Sequence, residues 1–449
     1  MKKVITYGVF DLFHKGHRRL LERAKALGDY LIVGVTTEQY AYHRGKYCVV
    51  DSVEKRLDNV RSLDCVDEVI IEDHDGQKTE DIEKYGISIF AIGDDWYGKF
   101  DYLDDLCQVV YLPRTPGISS SELRGTGNSP VALGLIGCGR IAGRFMQEAG
   151  FVREVQPVCL YHPHPDESET VKHFLAEHTA IAKVRTLEKL FDMADAVYIA
   201  TPHASHYEYA KAALMADKHV LCEKPLTLSG SQARELYQIA EASGLVLMEA
   251  VKTAYCPGFL KLISLIRSGV IGDVYDIETC FTRLTPRACR EWKAPEGAGS
   301  FTEFASYVLL PIVKLLGTKD LSWQFQSVLN ENRVDSYTKV FFNSHGKTAS
   351  AKTGLGVKSA GELTVSGTQG YIRVSAPWWK TKMFSIHRED PLDVQIVVDD
   401  FLGDGLRYEI ADFLYRIRGH RDRDYKLRPE ESVKMAEIIE DFLRWRCGG

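Results

Sequence analysis

KVITYGVFDLFHKGHRRLLERAKALGDYLIVGV, residues 3–35, decides how the chain folds at its start. Residues 3–10 are a continuous apolar run and predict a buried strand. Leu20, Leu21, Ala24 and Leu27 then recur at helical spacing, Gly28 is a natural helix stop, and YLIVGV is a second buried strand. Strand, helix and strand in so short a span make a βαβ unit, which requires a parallel sheet. The turn between the first strand and the helix is HKGH. Such a turn aims backbone N–H groups and a helix dipole at one point, which suits an anion. Gly16 lets the backbone come close, and His14 and His17, three apart, can lie on one side and donate to phosphate oxygens. A zinc reading needs further ligands, and no third is evident.

Working outward, further strands are expected at VDEVII, ISIFAIG and QVVYLP, closing a small α/β domain over residues 1–124. GTGNSP, residues 125–130, is small and polar and reads as a linker. The pattern then restarts. VALGLIG, RIAGRFMQEAG and VQPVCLYH read as strand, helix and strand around GCGRIA. Gly137 permits the tight turn, Gly139 the approach of a pyrophosphate, and Ala142 close helix–strand packing, with Arg140 and Ile141 opening the helix. A dinucleotide site is expected there. The acid usually found about 20 residues on, to hold a ribose hydroxyl, is replaced by His162 in YHPHPD. The choice between NAD and NADP therefore stays open. Beyond residue 255 longer alternating stretches such as VYDIETCFTRL and TKVFFNSHG predict an antiparallel or mixed sheet, followed by helices at YEIADFLYRIRG and PEESVKMAEIIEDFLRWR. The expected class is α/β: a Rossmann-like first domain, a dinucleotide-binding Rossmann domain over 131–255, and an α+β open-sheet substrate domain over 256–449 that also serves oligomerisation.

The totals exclude several classes. At 449 residues the chain needs more than one core. A net charge of −6 argues against a nucleic-acid binder. Ten scattered cysteines without a CxxC pair suggest neither a zinc ribbon nor a disulfide framework. No apolar run reaches the roughly 20 residues of a membrane span, and MKKVITYG is too quickly interrupted for a signal peptide. A cytoplasmic protein without nucleic-acid or membrane partners is expected.

Residues 5–124 resemble the glycerol-3-phosphate cytidylyltransferase family through YGVFDLFHKGHRRLLERAKALGDYLIVGV, VDEVI, IGDDWYGKFDYL and YLPRTPGISSSELR. HxGH alone marks only a nucleotidyltransferase superfamily, whereas GDDWYGKFD and RTPGISSS are specific. The resemblance implies attack of a phosphomonoester on the α-phosphate of CTP, with pyrophosphate leaving and Mg2+ screening the phosphates. It places His14 and His17 on the triphosphate and lets Lys46 reach it. Arg114, Thr115, Ser119 and Ser120 would bind it from the opposite side, and Asp94 and Trp96 would border the base and acceptor. Gly8, Phe10, Asp11 and Gly16 would shape the CTP pocket, with Asp11 and Arg56 weaker candidates. Trp96 as a core aromatic and Lys46 as a solvated lysine are the plain alternatives.

Residues 131–449 resemble the glucose–fructose oxidoreductase, inositol dehydrogenase and rhizopine-catabolism (Gfo/Idh/MocA) family. The resemblance runs through GLIGCGRIA, YIATPHASHYEYA, HVLCEKPLT, LMEAVKTAYCPGF, RSGVIGDV and GAGSFTEFASYVLLPIVKLLG. It implies that Lys224 lies beside a nicotinamide and the reacting carbonyl, with Glu223 and Pro225 shaping that turn and Tyr307 giving or taking the proton. Thr201, Pro202 and His206 would flank the cofactor, His206 as a contact and not a catalyst. Glu303 and Ala305 stand where the family has Asp and Gly. That departure puts the pocket geometry in doubt.

The fusion is expected to be a bifunctional maker of a CDP-polyol. NAD(P)H would reduce a sugar phosphate to a polyol phosphate, and CTP would activate it. Glycerol or a four- or five-carbon polyol such as ribitol fits, and a homo-oligomer is expected. Alternatives left open are a redox step on the CDP-linked polyol, a second domain that binds a dinucleotide without chemistry, and adenylyl transfer from ATP.

Overall fold

The computed structural model describes residues 1–11, 13–43, 49, 51–94, 98–112, 130–163, 168–293, 297–419 and 426–448, the side chains of 42 and 43 excepted. The chain divides into two compact units, Met1–Ser129 and Pro130–Gly449.

In the first unit β1 (Lys3–Gly8) leads into α1 (Lys15–Lys25) and β2 (Tyr30–Thr36). Then come α2 (Glu38–His43), α3 (Val53–Arg61), β3 (Glu68–Glu72), α4 (Gln77–Tyr85), β4 (Ile89–Gly93) and β5 (Gln108–Leu112). The sheet order is β3-β2-β1-β4-β5, and every pairing is parallel. Val4, Leu31 and Val33 point to one core, Ile5, Tyr7, Ile32 and Phe90 to the other. Coverage of both faces is why these strands read as unbroken apolar runs. β1 ends two residues before the apolar run does, because Phe10 turns the chain with φ +52°. The strand order reverses at β1 and β4, so their carboxyl ends form the crevice where open α/β sheets bind ligands.

The second unit opens with β6 (Val131–Ile136), α5 (Arg140–Ala149), β7 (Val155–Tyr161), α6 (Glu169–Glu177), β8 (Ala182–Val184) and α7 (Leu187–Met193). It continues through β9 (Ala196–Ile199), α8 (His206–Met215), β10 (His219–Glu223), α9 (Gly230–Ala242) and β11 (Leu247–Ala250). These strands form a parallel sheet ordered β11-β10-β9-β6-β7-β8. After α10 (Pro257–Arg267) the rhythm changes, as the alternating pattern leads one to expect. β12 (Val274–Arg283), α11 (Ser300–Leu316), β13 (Ser322–Leu329), β14 (Asp335–Ser344) and β15 (Lys347–Leu355) are followed by β16 (Leu363–Gly367), β17 (Gly370–Val374), β18 (Met383–His387) and β19 (Val394–Val398). They make one mixed sheet, β13-β14-β15-β12-β16-β17-β18-β19, in which β12 and β15 pair in parallel. α12 (Leu406–Ile417) and α13 (Pro429–Arg446) close the chain, and α13 returns to pack on α9 and α11.

α11 is the element the sequence pattern hid. It contains Pro311 and is apolar almost all round, so neither a helix stripe nor a clean boundary is visible. The structure buries it against the mixed sheet and α13, with Phe301 packed on Phe442 at 4.7 Å between ring centroids. Among the described residues no helix is long and apolar enough to cross a membrane.

Candidate active sites

The first candidate site begins where β1 turns into α1. His14 is the N-cap of that helix, and its Nδ1 accepts from the backbone N–H groups of Gly16 at 3.0 Å and His17 at 3.4 Å. Nδ1 is thereby fixed as the acceptor, and the ring proton of the neutral form sits on Nε2. This corrects one expectation: those two N–H groups serve a side-chain cap, so the donors presented to an anion are the imidazoles. The rings of His14 and His17 stack at 3.8 Å and 20°, and Phe10 and Phe13 each lie 5.5 Å from His17. Gly8 sits beneath Phe10, where a Cβ would come within 3.0 Å of the ring.

Arg56 holds the floor of this corner. It is fully buried and donates to the carbonyl oxygens of Val9 at 2.8 Å, Thr36 at 2.6 Å and Asp51 at 2.9 Å, with Glu38 3.1 Å away. The ends of β1 and β2 are tied to the start of α3 by one planar cation whose fork matches several acceptors at once. Asp11 is buried and accepts from the Asp51 N–H at 2.9 Å. Asp94 is exposed at the end of β4. Lys46, Trp96, Arg114, Thr115, Ser119 and Ser120 lie outside the described residues.

The second candidate site lies in the other unit. Gly137 adopts φ +94°, and a Cβ there would meet the Ala200 carbonyl oxygen at 2.6 Å. Gly139 is the N-cap of α5, offers no side-chain cap, and has nothing within 4 Å of where its Cβ would be. Ala142 is fully buried and Ile141 half-buried, while Arg140 is exposed with Glu291 at 3.8 Å. An uncapped helix start after a parallel strand, with open space at the glycine, fits a dinucleotide pyrophosphate. His162 is half-buried just after β7.

β10 delivers Lys224 to the same side. Its Nζ donates to the Glu303 carbonyl oxygen at 2.8 Å, lies 3.3 Å from Oε1 of that residue, and sits 5.6 Å from the centre of the Tyr307 ring. Glu303 and Tyr307 lie one turn apart on α11. Burial works to raise the Glu303 carboxyl, but its cationic neighbours, Lys224 foremost, outweigh it and hold it down, to about 2. Tyr307 is pushed well above the ordinary tyrosine value by burial and then by Glu223, Glu409 and Glu303. It therefore carries its proton at neutral pH. The arrangement can hold a carbonyl oxygen between an ammonium and a phenol, with a carboxylate steadying the ammonium.

His203 is a member that the sequence reading missed. Its Nε2 is 3.5 Å from Glu303 Oε2 and its Nδ1 3.3 Å from the Gly297 carbonyl oxygen. Burial, more than any neighbour, lowers it to about 3, so it is neutral. The signal was the first histidine of TPHASH, overlooked beside His206. His206 is fully buried, with its ring nitrogens 2.8 Å from the Pro225 carbonyl oxygen and 2.9 Å from that of Thr201. It ties the Lys224–Pro225 turn to the Thr201–Pro202 segment. Thr201 accepts from the Ser205 hydroxyl at 2.8 Å, and Pro202 is exposed. Glu223 is buried and accepts from the Tyr198 hydroxyl at 2.7 Å. Glu249 accepts from the Leu226 N–H at 3.2 Å, Ser306 at 3.0 Å and Ser432 at 2.5 Å, so β11, α11 and α13 are pinned around the Lys224 turn. Ala305 is fully buried on α11.

Comparison with known proteins follows this division. Residues 5–126 match a family described as cytidylyltransferase-like, and residues 131–251 match the oxidoreductase family with an NAD-binding Rossmann fold, Gfo/Idh/MocA. The glycerol-3-phosphate cytidylyltransferase of Bacillus spizizenii is 54% identical over 124 residues, 28% of this chain and 95% of that protein. The scyllo-inositol 2-dehydrogenase (NADP(+)) of Bacillus subtilis is 26% identical over 322 residues, 69% of this chain and 95% of that protein. A 3-ketoreductase from Actinomadura kijaniata, solved with NADP and TDP-benzene, superposes with a TM-score of 0.61 over 70% of this chain and 96% of its own. At 24% identity that likeness speaks for the fold.

Proposed function

We propose a function that proceeds from one premise: this chain belongs to the cytidylyltransferase-like family over its first unit and to the Gfo/Idh/MocA oxidoreductases over its second. It is an enzyme of both classes, a nucleotidyltransferase and an NAD(P)-dependent oxidoreductase. The finer reading is that it makes a CDP-polyol. The second unit reduces a keto- or aldo-sugar phosphate to a polyol phosphate, and the first transfers CMP to it from CTP.

The observation that carries this reading is the Lys224–Glu303–Tyr307 cluster, a complete polar constellation and not a vestige. A bound reduced nicotinamide supplies the hydride. Gly137, Gly139 and the start of α5 would hold its pyrophosphate. Lys224 polarises the substrate carbonyl, Glu303 keeps the ammonium aimed, and Tyr307 gives its proton to the oxygen as negative charge develops there. In the first unit His14 donates through Nε2, and the stacked His17 supports it against charge growing on the leaving pyrophosphate. Mg2+ enters as the partner of the CTP phosphates. Relatives named for a glycerol phosphate and for an inositol support a polyol, and the names that carry NADP make NADPH the first reductant to offer.

The test is pyrophosphate release from CTP and Mg2+ with a panel of sugar phosphates, with and without NADPH or NADH. Release from a ketose or aldose phosphate only when reduced cofactor is present is expected. Release from ready-made polyol phosphates alone, untouched by cofactor, would move the redox step onto the CDP-linked product or remove it.

A further inference from the structure

Three cations from separate elements converge on one carboxylate near the second corner. Asp404, just ahead of α12, has Lys252 Nζ 3.1 Å and Arg144 Nη1 3.4 Å from its Oδ2, and Lys380 donates to its Oδ1. Arg144 comes from α5, Lys252 from the short turn after β11, and Lys380 from the turn before β18. The side chains grade from interior to surface, 9% exposed at Lys252, 31% at Lys380 and 54% at Arg144. The backbone fixes Asp404 among them: its N–H donates to Glu148 at 3.3 Å, and Gly403 and Gly405 on either side take φ +75° and +96°.

The cluster stands at the same edge of the sheet as Lys224. β10 and β11 pair in parallel with Glu223 opposite Ala250, so Lys224 is one residue, and Lys252 two, past the last pair. That edge is the carboxyl end of a parallel sheet, where such folds bind ligands. The Thr253 hydroxyl donates to the Trp379 carbonyl oxygen at 2.6 Å, the Trp379 ring stacks on Phe281 at 3.6 Å, and Phe281 lies 5.3 Å from the Tyr307 ring. A wall of rings therefore runs from the proton donor toward the cations.

Positive charge is in surplus there. Glu303 matches Lys224, Glu148 matches Arg407 and Asp400 matches Lys382, whereas Asp404 is shared by three cations. Glu409 and Glu223 also act on Lys252, but burial raises both carboxyls, which reduces the charge they offer. Burial, and then Lys252 and Arg144, press Lys380 below the ordinary lysine value, as crowded cations do. A phosphate dianion would make the negative charges, Asp404 included, equal to the three cations. Arginine and lysine are also the side chains that bind phosphate, arginine through its planar fork.

We propose that Lys252, Lys380 and Arg144 form the subsite for the phosphate of the reductase's substrate, a reading that rests on the reductase proposed above. The substrate carbonyl then lies against Lys224 and Tyr307, with its phosphate at the far end of the ring wall. Two sources offer that chemistry: the phosphate ester of a sugar phosphate and the diphosphate of a CDP-linked sugar.

Steady-state reduction by the full chain with NADPH tests the subsite. Lys252→Met should raise KM for the ketose or aldose phosphate about 10–100-fold and leave KM for NADPH where it is. The same sugar without its phosphate should show one KM in both proteins. Inorganic phosphate should compete with the sugar phosphate in wild type and not in K252M. If the CDP-linked sugar, and not the monophosphate, is the substrate whose KM follows Lys252, the subsite stands with a diphosphate in it. A rise in KM for NADPH instead would give the cations to the cofactor and overturn the proposal, as would equal wild-type KM values with and without the phosphate. Should K252M fail to fold, Arg144→Gln, at the exposed side of the cluster, carries the same prediction. Calorimetric titration with inorganic phosphate separates this subsite from the reductase reading. A chain that turns over no NAD(P)H, yet binds one phosphate more than K252M does, would sink the reductase and leave the subsite standing. Equal phosphate stoichiometry in the two proteins would overturn the subsite.

Discussion

The two corners handle charge in opposite ways. The first is built within four residues, His14 to His17, at the open end of one helix, from half-buried imidazole donors. The second gathers His203, Lys224, Glu303 and Tyr307 from segments a hundred residues apart and buries charges of both signs. A site for a highly charged, hydrated triphosphate needs many modest donors and easy exit. A site that must favour one proton transfer gains from a dry interior, where each charge acts strongly.

That contrast is broken most directly at Lys224. Lys224→Ala should lower NAD(P)H oxidation by about 10²–10⁴-fold and leave pyrophosphate release from CTP with glycerol 3-phosphate at the wild-type rate. Normal NAD(P)H turnover would mean the lysine is a structural ion-pair partner of Glu303. The mirror experiment is His14→Ala. It removes both the Nε2 donor and the cap for Gly16 and His17, so cytidylyl transfer should fall about 10²–10³-fold while reductase turnover holds. If either substitution silences both reactions, the corners are not independent and the contrast fails.

Arg56 sharpens the same comparison from below, because it is a fully buried cation beneath the half-buried imidazoles of the first corner. Arg56→Met strands three carbonyl oxygens and should destabilise the first unit by about 3–5 kcal/mol. The readout is the temperature at which pyrophosphate-releasing activity is lost, and loss at the wild-type temperature would show that water replaces the guanidinium at no cost.

How much of this could be read beforehand depends on where the information lies. HKGH and GCGRIA announce themselves because strand, glycine turn and helix are contiguous, and local backbone demands leave local residue signatures. The identity of Lys224 and Tyr307 as partners came through family likeness, since 83 positions separate them and no periodicity links them. α11 was hidden by Pro311 and by burial on every side. His203 was missed because its role exists only through its contact with Glu303, a hundred residues on. The burial of Glu409 could not be seen at all, because it depends on α12 packing on the turn after β11.

Glu409, fully buried on α12, yields the smallest and most gradual prediction, one of stability. A carboxyl pushed upward by burial binds its proton in the folded state over a pH window in which the unfolded chain has already released it. Linkage then makes unfolding easier as pH rises through that window: the stabilising contribution is whole below the ordinary glutamate value and lost as pH climbs through the raised one. The slope for one such group is about 1.4 kcal/mol per pH unit. E409Q has no such proton to lose, so its stability relative to wild type should grow steadily as pH rises. Tryptophan fluorescence in urea can follow this in the intact chain, because Trp292, Trp323, Trp378, Trp379 and Trp445 all belong to the second unit, and Trp96 alone to the first. Parallel stability curves for the two proteins would mean that Glu409 is ionised in the folded state, paired by Lys252 after all, and that the dry interior of the second corner tolerates one more charge than its bonds account for.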